Sequence, residues 1–146
     1  MKKFLELLEF DGLSADEIRM ISPLKLAYLG DSVYEVYIRT YIVNKCKSSV
    51  NELNKNAVKF VKASAQCYAA KKLQEQELLT EKEWAMVKKG RNQKTFTSPK
   101  NASLSDYRYA TGFETMIGYL YLNDQVERME EVIALAIQLI EGEKND

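Results

Sequence analysis

Two apolar stretches of the sequence each carry acidic residues at positions where a buried helix face would be apolar. Asp31 and Glu35 lie one helical turn apart on one stripe, and Glu114 interrupts a second stripe in segment 107–122. An ionised carboxylate is costly to bury alone, so each acid predicts a nearby cation, either a Lys or Arg side chain or a metal ion. Two such helices packed together would suit an oxygen-ligated metal, whereas ordinary salt bridges are the structural alternative at each acid.

The amino-acid composition excludes several classes of catalysis. The 146 residues include no His, which removes the Ser-His-Asp and Cys-His mechanisms and every zinc site that uses imidazole. The two cysteines, Cys46 and Cys67, cannot form a structural zinc site by themselves, and we expect them to be unpaired helix residues. A metal site would therefore use oxygen ligands, which favours Mg²⁺ or Mn²⁺.

The elements that must position these acids are predicted to be helices. Only 6 Gly and 2 Pro interrupt the chain, and no period-two strand pattern is present. Capping boxes at Ser14 and Thr80, and Ser22 before Pro23, mark helix starts, while Gly90 and Asn123 resemble helix stops. Helices are expected at about 2–9, 15–20, 23–45, 51–74, 81–89, 106–122 and 124–141. The fold class is all-α, and residues 1–146 are predicted to form a single domain.

Two features predict how these helices pack. Segment 24–43 is apolar on nearly every side, which favours the central and most buried helix of the fold. Gly30, Gly112 and Gly118 lie inside predicted helices, where glycine is unfavourable, and close contact between helices is the simplest compensation.

The overall charge is zero, but basic residues are concentrated in segment 87–108. This segment holds six basic residues and one acidic residue, and it includes a polar stretch, 91–105, without helical periodicity. Long loops in compact domains are often binding elements, so this region is the candidate surface for a polyanion. With neither a signal-like leader nor a membrane-length apolar run, we expect a cytoplasmic protein with no membrane association.

Three sequence segments resemble those of a known enzyme family. LAYLGDSVYEVYIRTYI at 26–42 is similar to the LGDSV motif of ribonuclease III endonuclease domains, and FETMIGYLYL at 113–122 resembles their second conserved segment. RNQKTFTSPKNASLSDYRYATGFE at 91–114 resembles the short bacterial subgroup called Mini-ribonuclease III. The resemblance is clear from about residue 22 to residue 122, and it implies the helical ribonuclease III fold.

The resemblance also implies a catalytic site. Asp31 and Glu114 match the family's catalytic acids, which bind Mg²⁺, for which Mn²⁺ is a possible substitute. Glu35 matches a further glutamate of the first motif and is a candidate supporting acid. Larger family members carry additional acids at the positions that correspond to Leu24, Ala27 and Thr111, so the number of metal ions per site is left open.

The function implied by the resemblance is Mg²⁺-dependent cleavage of double-stranded RNA by a homodimer, with precursor large-subunit (23S) ribosomal RNA as the substrate. No separate RNA-binding domain is expected after residue 141, so the catalytic domain itself must bind RNA. The candidate RNA-binding residues are Lys88, Lys89, Arg91, Lys94 and Lys100. A non-catalytic RNA-binding protein on the same fold is the alternative function.

Overall fold

The computed structural model describes residues 1–94 and 103–143, and every regular element within these ranges is an α-helix. The all-α prediction is therefore confirmed. In chain order the helices are α1 (Lys2–Leu7), α2 (Ala15–Arg19), α3 (Pro23–Lys45), α4 (Val50–Val61), α5 (Ala63–Glu75), α6 (Glu81–Arg91), α7 (Leu104–Leu122) and α8 (Val126–Gly142).

Helix α7 forms the centre of the fold, and α3, α5 and α6 pack around it. Ten of its residues are buried, in an almost unbroken run from Ala110 to Leu120. The prediction that segment 24–43 is the most buried helix is wrong. One side of α3 faces solvent and exposes large apolar side chains, with Tyr28 83%, Val36 63% and Val43 61% accessible.

Glycines bring α3 and α7 into backbone contact, as the sequence predicts. A Cβ atom built on Gly30 would overlap the carbonyl oxygen of Glu114, and one on Gly118 would overlap the carbonyl oxygen of Leu26. On the opposite side of α7, Gly112 makes the same kind of contact with the Val87 carbonyl in α6. Because only hydrogen fits at these positions, the glycines set the spacing of the three helices.

Gly30→Ala is expected to lower the free energy of unfolding by about 1 to 3 kcal/mol, because the added methyl group would push against backbone that cannot move aside. Gly142→Ala is the matched control, since a Cβ there meets nothing within 4 Å. That substitution should change stability by no more than about 1 kcal/mol. Urea unfolding of both variants checks this, and equal stabilities would contradict the packing role of Gly30.

The predicted helix at 51–74 is in fact two helices, α4 and α5, separated at Lys62. The backbone of Lys62 is extended, with φ −63° and ψ 152°, which ends the helical hydrogen bonding. Two side chains satisfy carbonyls that this break leaves without helical donors. The Tyr34 hydroxyl donates to the Phe60 carbonyl at 3.0 Å, and Gln66 Nε2 donates to the Val61 carbonyl at 2.8 Å.

The local start and stop signals are confirmed with one exception. Ser14 and Thr80 form complete capping boxes, Ser22 caps α3 before Pro23, and α7 ends at Asn123. The interpretation of Gly90 as a helix stop is wrong, because α6 continues to Arg91 and Gly90 contacts α7. Both cysteines are free, as expected.

Candidate active site

The contact between α3 and α7 brings Asp31 and Glu114 together. Asp31 directly follows Gly30, whose Cα packs against the Glu114 carbonyl, so the two acids leave their helices at the point of closest approach. Their carboxyl groups lie close enough to interact, since Asp31 raises the pKa of Glu114. Asp31 is exposed to solvent and Glu114 is half-buried, so the pair lies at the open end of the helix contact.

The electrostatic environment of Glu114 strongly favours its protonated form. Burial raises the pKa of this carboxyl, and the hydrogen bond and negative charge of Asp31 raise it further, to about 9. The more distant charge of Glu35 acts in the same direction, whereas a hydrogen bond from Gln66 opposes the shift. At neutral pH without a cation, Glu114 therefore holds a proton against Asp31.

This protonation predicts that the cation-free protein loses stability as the pH rises. The unfolded carboxyl releases its proton near pH 4.5 but the folded one keeps it to about pH 9, so between these values only the folded state holds the proton. Glu114→Gln cannot titrate and should lack this contribution to the slope. The wild type should therefore lose stability relative to Glu114→Gln as the pH rises. We expect the difference between their free energies of unfolding to change by at least about 1 kcal/mol between pH 5 and pH 8.

The measurement is urea unfolding of both proteins in EDTA across this pH range. Parallel stability curves for the wild type and Glu114→Gln would contradict the raised pKa of Glu114.

Helix α5 adds a site residue that the sequence analysis missed. Gln66 is only 2% exposed, and its Nε2 donates to Glu114 Oε2 at 3.4 Å as well as to the Val61 carbonyl. Its Oε1 is buried without a hydrogen-bond partner among the described residues. The signal was available, because Gln66 interrupts a fully buried stripe of Ala69, Ala70 and Leu73, as Glu114 interrupts its own.

Glu35 lies near this pair but has its own cationic partner. Arg39 Nη2 donates to Glu35 Oε1 at 3.0 Å, one turn along α3. The structure thus places Glu35 beside the site as an acid already paired with a cation. Within residues 1–94 and 103–143, no group of three or more Asp, Glu, Cys or His side chains is arranged to hold a metal ion.

At the three positions where the resemblance implies acids in larger family members, this chain offers no carboxylate to the site. Leu24 is partly exposed, whereas Ala27 and Thr111 are buried. The Thr111 hydroxyl donates to the Tyr107 carbonyl at 2.9 Å within its own helix. Among the described residues, the site therefore brings together the carboxyl groups of Asp31 and Glu114 and the Gln66 amide that donates to Glu114.

The predicted RNA-binding residues cluster at the end of α6, except for Lys100, which lies outside the described residues. Lys88, Lys89 and Lys94 are exposed. Gly90, in the same turn, packs against Thr115, the residue that follows Glu114. The basic end of α6 therefore adjoins the segment of α7 that carries the site acid.

Arg91 differs from these lysines because aromatic residues hold it in place. Its guanidinium group lies 5.9 Å from the Trp84 ring centre and 5.4 Å from that of Tyr109, and Nη1 donates to the Tyr109 hydroxyl at 3.3 Å. The Lys71 ammonium group also lies over the Tyr109 ring, 4.7 Å from its centre. These contacts hold one positive charge in a fixed position at the basic end of α6, beside the exposed lysines.

Comparison with known proteins agrees with this arrangement of fold and acids. The model of the ribonuclease III domain family matches residues 24–125, which span both acids and Gln66. The chain belongs to the ribonuclease III family. It is 50% identical over 132 residues to Mini-ribonuclease 3 of Clostridium tetani, covering 90% of this chain and 86% of that protein.

Further relatives place it in the Mini-ribonuclease 3 subgroup. Identity to the Thermoanaerobacter Mini-ribonuclease 3 is 45% over 141 residues, covering 97% of this chain and 96% of that protein. The crystal structure of protein FN1578 from Fusobacterium nucleatum superposes with a TM-score of 0.72 at 33% identity, covering 83% of this chain and 95% of the other. The predicted family and fold are confirmed, and this member of the ribonuclease III family is an endoribonuclease rather than a non-catalytic relative.

Among the described residues, no helix is both long and apolar enough to cross a lipid bilayer.

Proposed function

We propose that this endoribonuclease hydrolyses double-stranded RNA with a divalent cation, Mg²⁺ or in its place Mn²⁺, bound by Asp31 and Glu114. The observation that carries the proposal is the meeting of these two carboxyls at the contact of α3 and α7, where Gly30 packs against the Glu114 carbonyl and Asp31 raises the pKa of Glu114. A pair of adjoining carboxyls is a site that a cation stabilises, and the oxygen-only donor set fits a hard cation.

The residues of the chain would act as follows. Asp31 and Glu114 would hold the cation in their ionised forms, and the hydrogen bond from the Gln66 amide would keep Glu114 Oε2 in position. The chemistry supplied by the bound cation is neutralisation of the scissile phosphate and a lowered pKa for a coordinated water. No His is required, and hydrolysis would leave a 5′-phosphate and a 3′-hydroxyl.

The exposed apolar side of α3 supports a homodimer. Leu24, Tyr28, Val36 and Val43 lie on the same helix as Asp31, before and after it along the chain. An apolar surface of this kind is typical of a contact between subunits. A two-fold partner there would carry a second copy of the site, so that the two strands of a duplex are each cut by one subunit.

The substrate proposed is duplex RNA in precursor large-subunit ribosomal RNA, cut in the cytoplasm where its paired ends form a stem. The experiment is to incubate the protein with a long RNA duplex and with such a precursor, in Mg²⁺ or in EDTA, and to map the product ends. Cuts on both strands that require Mg²⁺ would support the proposal, and cleavage in EDTA would contradict it.

The exposed lysines at the end of α6 are expected to bind RNA phosphates. Lys88→Glu combined with Lys89→Glu should weaken duplex binding and flatten its salt dependence, by about 1 in the log-log slope for each phosphate that the protein no longer neutralises. Fluorescence anisotropy across a range of salt concentrations measures both effects. Lys2→Glu with Lys3→Glu makes the same charge change on α1, and equal effects of the two pairs would exclude a specific role for α6.

A further inference from the structure

We propose that Gln66 is a positioning residue of the metal site: its Nε2 orients Glu114, and its Oε1 accepts a hydrogen bond from a water molecule of the hydrated cation. The inference rests on the proposed function, since it presumes that Asp31 and Glu114 bind a divalent ion. The juxtaposition that carries it is a buried amide whose nitrogen donates to Glu114 and whose oxygen has no hydrogen-bond partner among the described residues.

The orientation of the Gln66 amide follows from its hydrogen bond to the Val61 carbonyl, which lies where α4 ends and α5 begins. The Val61 carbonyl can only accept a hydrogen bond, so the nearby end of the Gln66 amide must be its NH₂ group. The same nitrogen reaches Glu114 Oε2, which uses its second hydrogen. The oxygen is left as the unsatisfied end, and rotating the amide would only leave the Val61 carbonyl without this donor.

An unpaired buried oxygen at this location requires a physical reason. A buried acceptor without a partner destabilises a protein, and native structures rarely retain one unless a water, ion or ligand satisfies it. A Met or Leu side chain would fill this position in α5 without that cost. The unpartnered oxygen belongs to the same amide that donates to Glu114, so the water of a hydrated cation held by Glu114 is the partner that this connection suggests.

The chemistry of the site favours a neutral oxygen. Mg²⁺ keeps several water molecules when it binds to proteins, and these waters need acceptors. The site has only two adjoining carboxylates, with Leu24, Ala27 and Thr111 at positions that offer no acid. An amide oxygen can accept from a coordinated water without adding a negative charge that would repel the RNA phosphate.

The alternative is that Gln66 only caps the broken helix end through the Val61 carbonyl. A pair of variants separates the two roles, because Gln66→Met and Gln66→Glu both remove the amide donor to Val61 but only Gln66→Glu retains a side-chain oxygen. Free Mn²⁺ is measured by electron paramagnetic resonance during titration of each protein, with no RNA present. Gln74→Met, on the same helix, is the control.

We expect Gln66→Met to weaken Mn²⁺ binding by about tenfold or more, and Gln66→Glu to bind at least as tightly as the wild type. Wild-type affinity in Gln66→Met would overturn the inference, and equal weakening in both variants would overturn the role of Oε1, in each case leaving the proposed function intact. Absence of Mn²⁺ binding by the wild type would instead overturn the proposed metal site and this inference together. Circular dichroism in EDTA checks that each variant is folded.

A measurement on the wild type keeps the inference testable if Gln66→Met does not fold. In the nitrogen-15 spectrum, diamagnetic Mg²⁺ should shift the side-chain amide signal of Gln66 and leave that of Gln74, two helical turns away, unchanged. An unshifted Gln66 signal at saturating Mg²⁺ would overturn the inference.

Discussion

Asp31→Asn is expected to reduce cleavage of duplex RNA by at least about 1000-fold while leaving duplex binding nearly unchanged. The asparagine keeps the shape of the side chain but cannot supply the negative charge that holds the cation, and a bound divalent ion is worth several kcal/mol of transition-state stabilisation. Because Asp31 is exposed, the substitution leaves no buried group unpaired and the fold should persist. Glu114→Gln should lose cleavage to a similar extent.

The assay compares single-turnover rates on one RNA duplex at saturating Mg²⁺, with binding measured in parallel in Ca²⁺ or EDTA. Glu127→Gln is the matched control, since it neutralises an exposed acid on α8 and should cut at the wild-type rate. A wild-type rate for Asp31→Asn would exclude Asp31 as a metal ligand. A wild-type rate for Glu114→Gln would exclude Glu114 in the same way and would contradict the proposed function.

Arg128→Met is expected to lower the free energy of unfolding by about 3 to 5 kcal/mol, because it leaves a buried carboxylate without its cation. Arg128 in α8 donates to both oxygens of Glu83, at 2.9 Å each, and its Nη2 also donates to the Leu78 carbonyl at 2.6 Å. Glu83 is only 3% exposed, so solvent cannot replace the lost partner. This ion pair joins α8 to the first turn of α6.

Arg19→Met is the control for this substitution. Arg19 pairs with Asp16 at the surface, where both side chains are more than half exposed, and its loss should cost less than about 1 kcal/mol. The double variant Glu83→Gln with Arg128→Met should recover part of the stability, because it removes the unpaired charge as well. Equal stability of Arg128→Met and Arg19→Met in urea unfolding would contradict the buried role of the pair.

The same pair predicts the response to acid. Burial by itself raises the pKa of Glu83, but the hydrogen bonds from Arg128 and from the Thr80 backbone outweigh it and lower the pKa below 4.5. The pair therefore stabilises the fold fully above the pKa of the unfolded carboxyl, and this contribution is lost as the pH falls through the lower folded value. Glu83→Gln should not show this loss.

The sequence singles out Asp31 and Glu114 because each carboxylate lies within an apolar stripe, where it stands out. The structure brings the two acids together but leaves Asp31 exposed to solvent. Gln66 obeys the same rule in its stripe of small residues, but an uncharged amide is a weaker signal and was missed. Its contact with Glu114 joins residues 48 positions apart, which no local pattern encodes.

Two predictions about the fold are wrong, namely the single helix at 51–74 and the full burial of segment 24–43. Both features are decided by the tertiary structure rather than by local sequence. At the break at Lys62 the Phe60 carbonyl accepts a hydrogen bond from Tyr34, 26 residues away, whereas local propensity favours one continuous helix. The sequence of α3 is typical of a fully buried helix because apolar residues on its exposed side resemble core residues. Hydropathy cannot separate a core face from an apolar face that is exposed in the monomer.

The contact between Arg91 and Trp84 provides an intrinsic fluorescence signal for this part of the protein. Trp84 is the only tryptophan in the chain, so all indole emission arises beside this guanidinium group at the edge of the basic surface. A phosphate that draws Arg91 away from the ring would change the intensity and wavelength of that emission. The proposed binding of RNA at the end of α6 could thus be followed in real time on unlabelled protein, before any bond is cut.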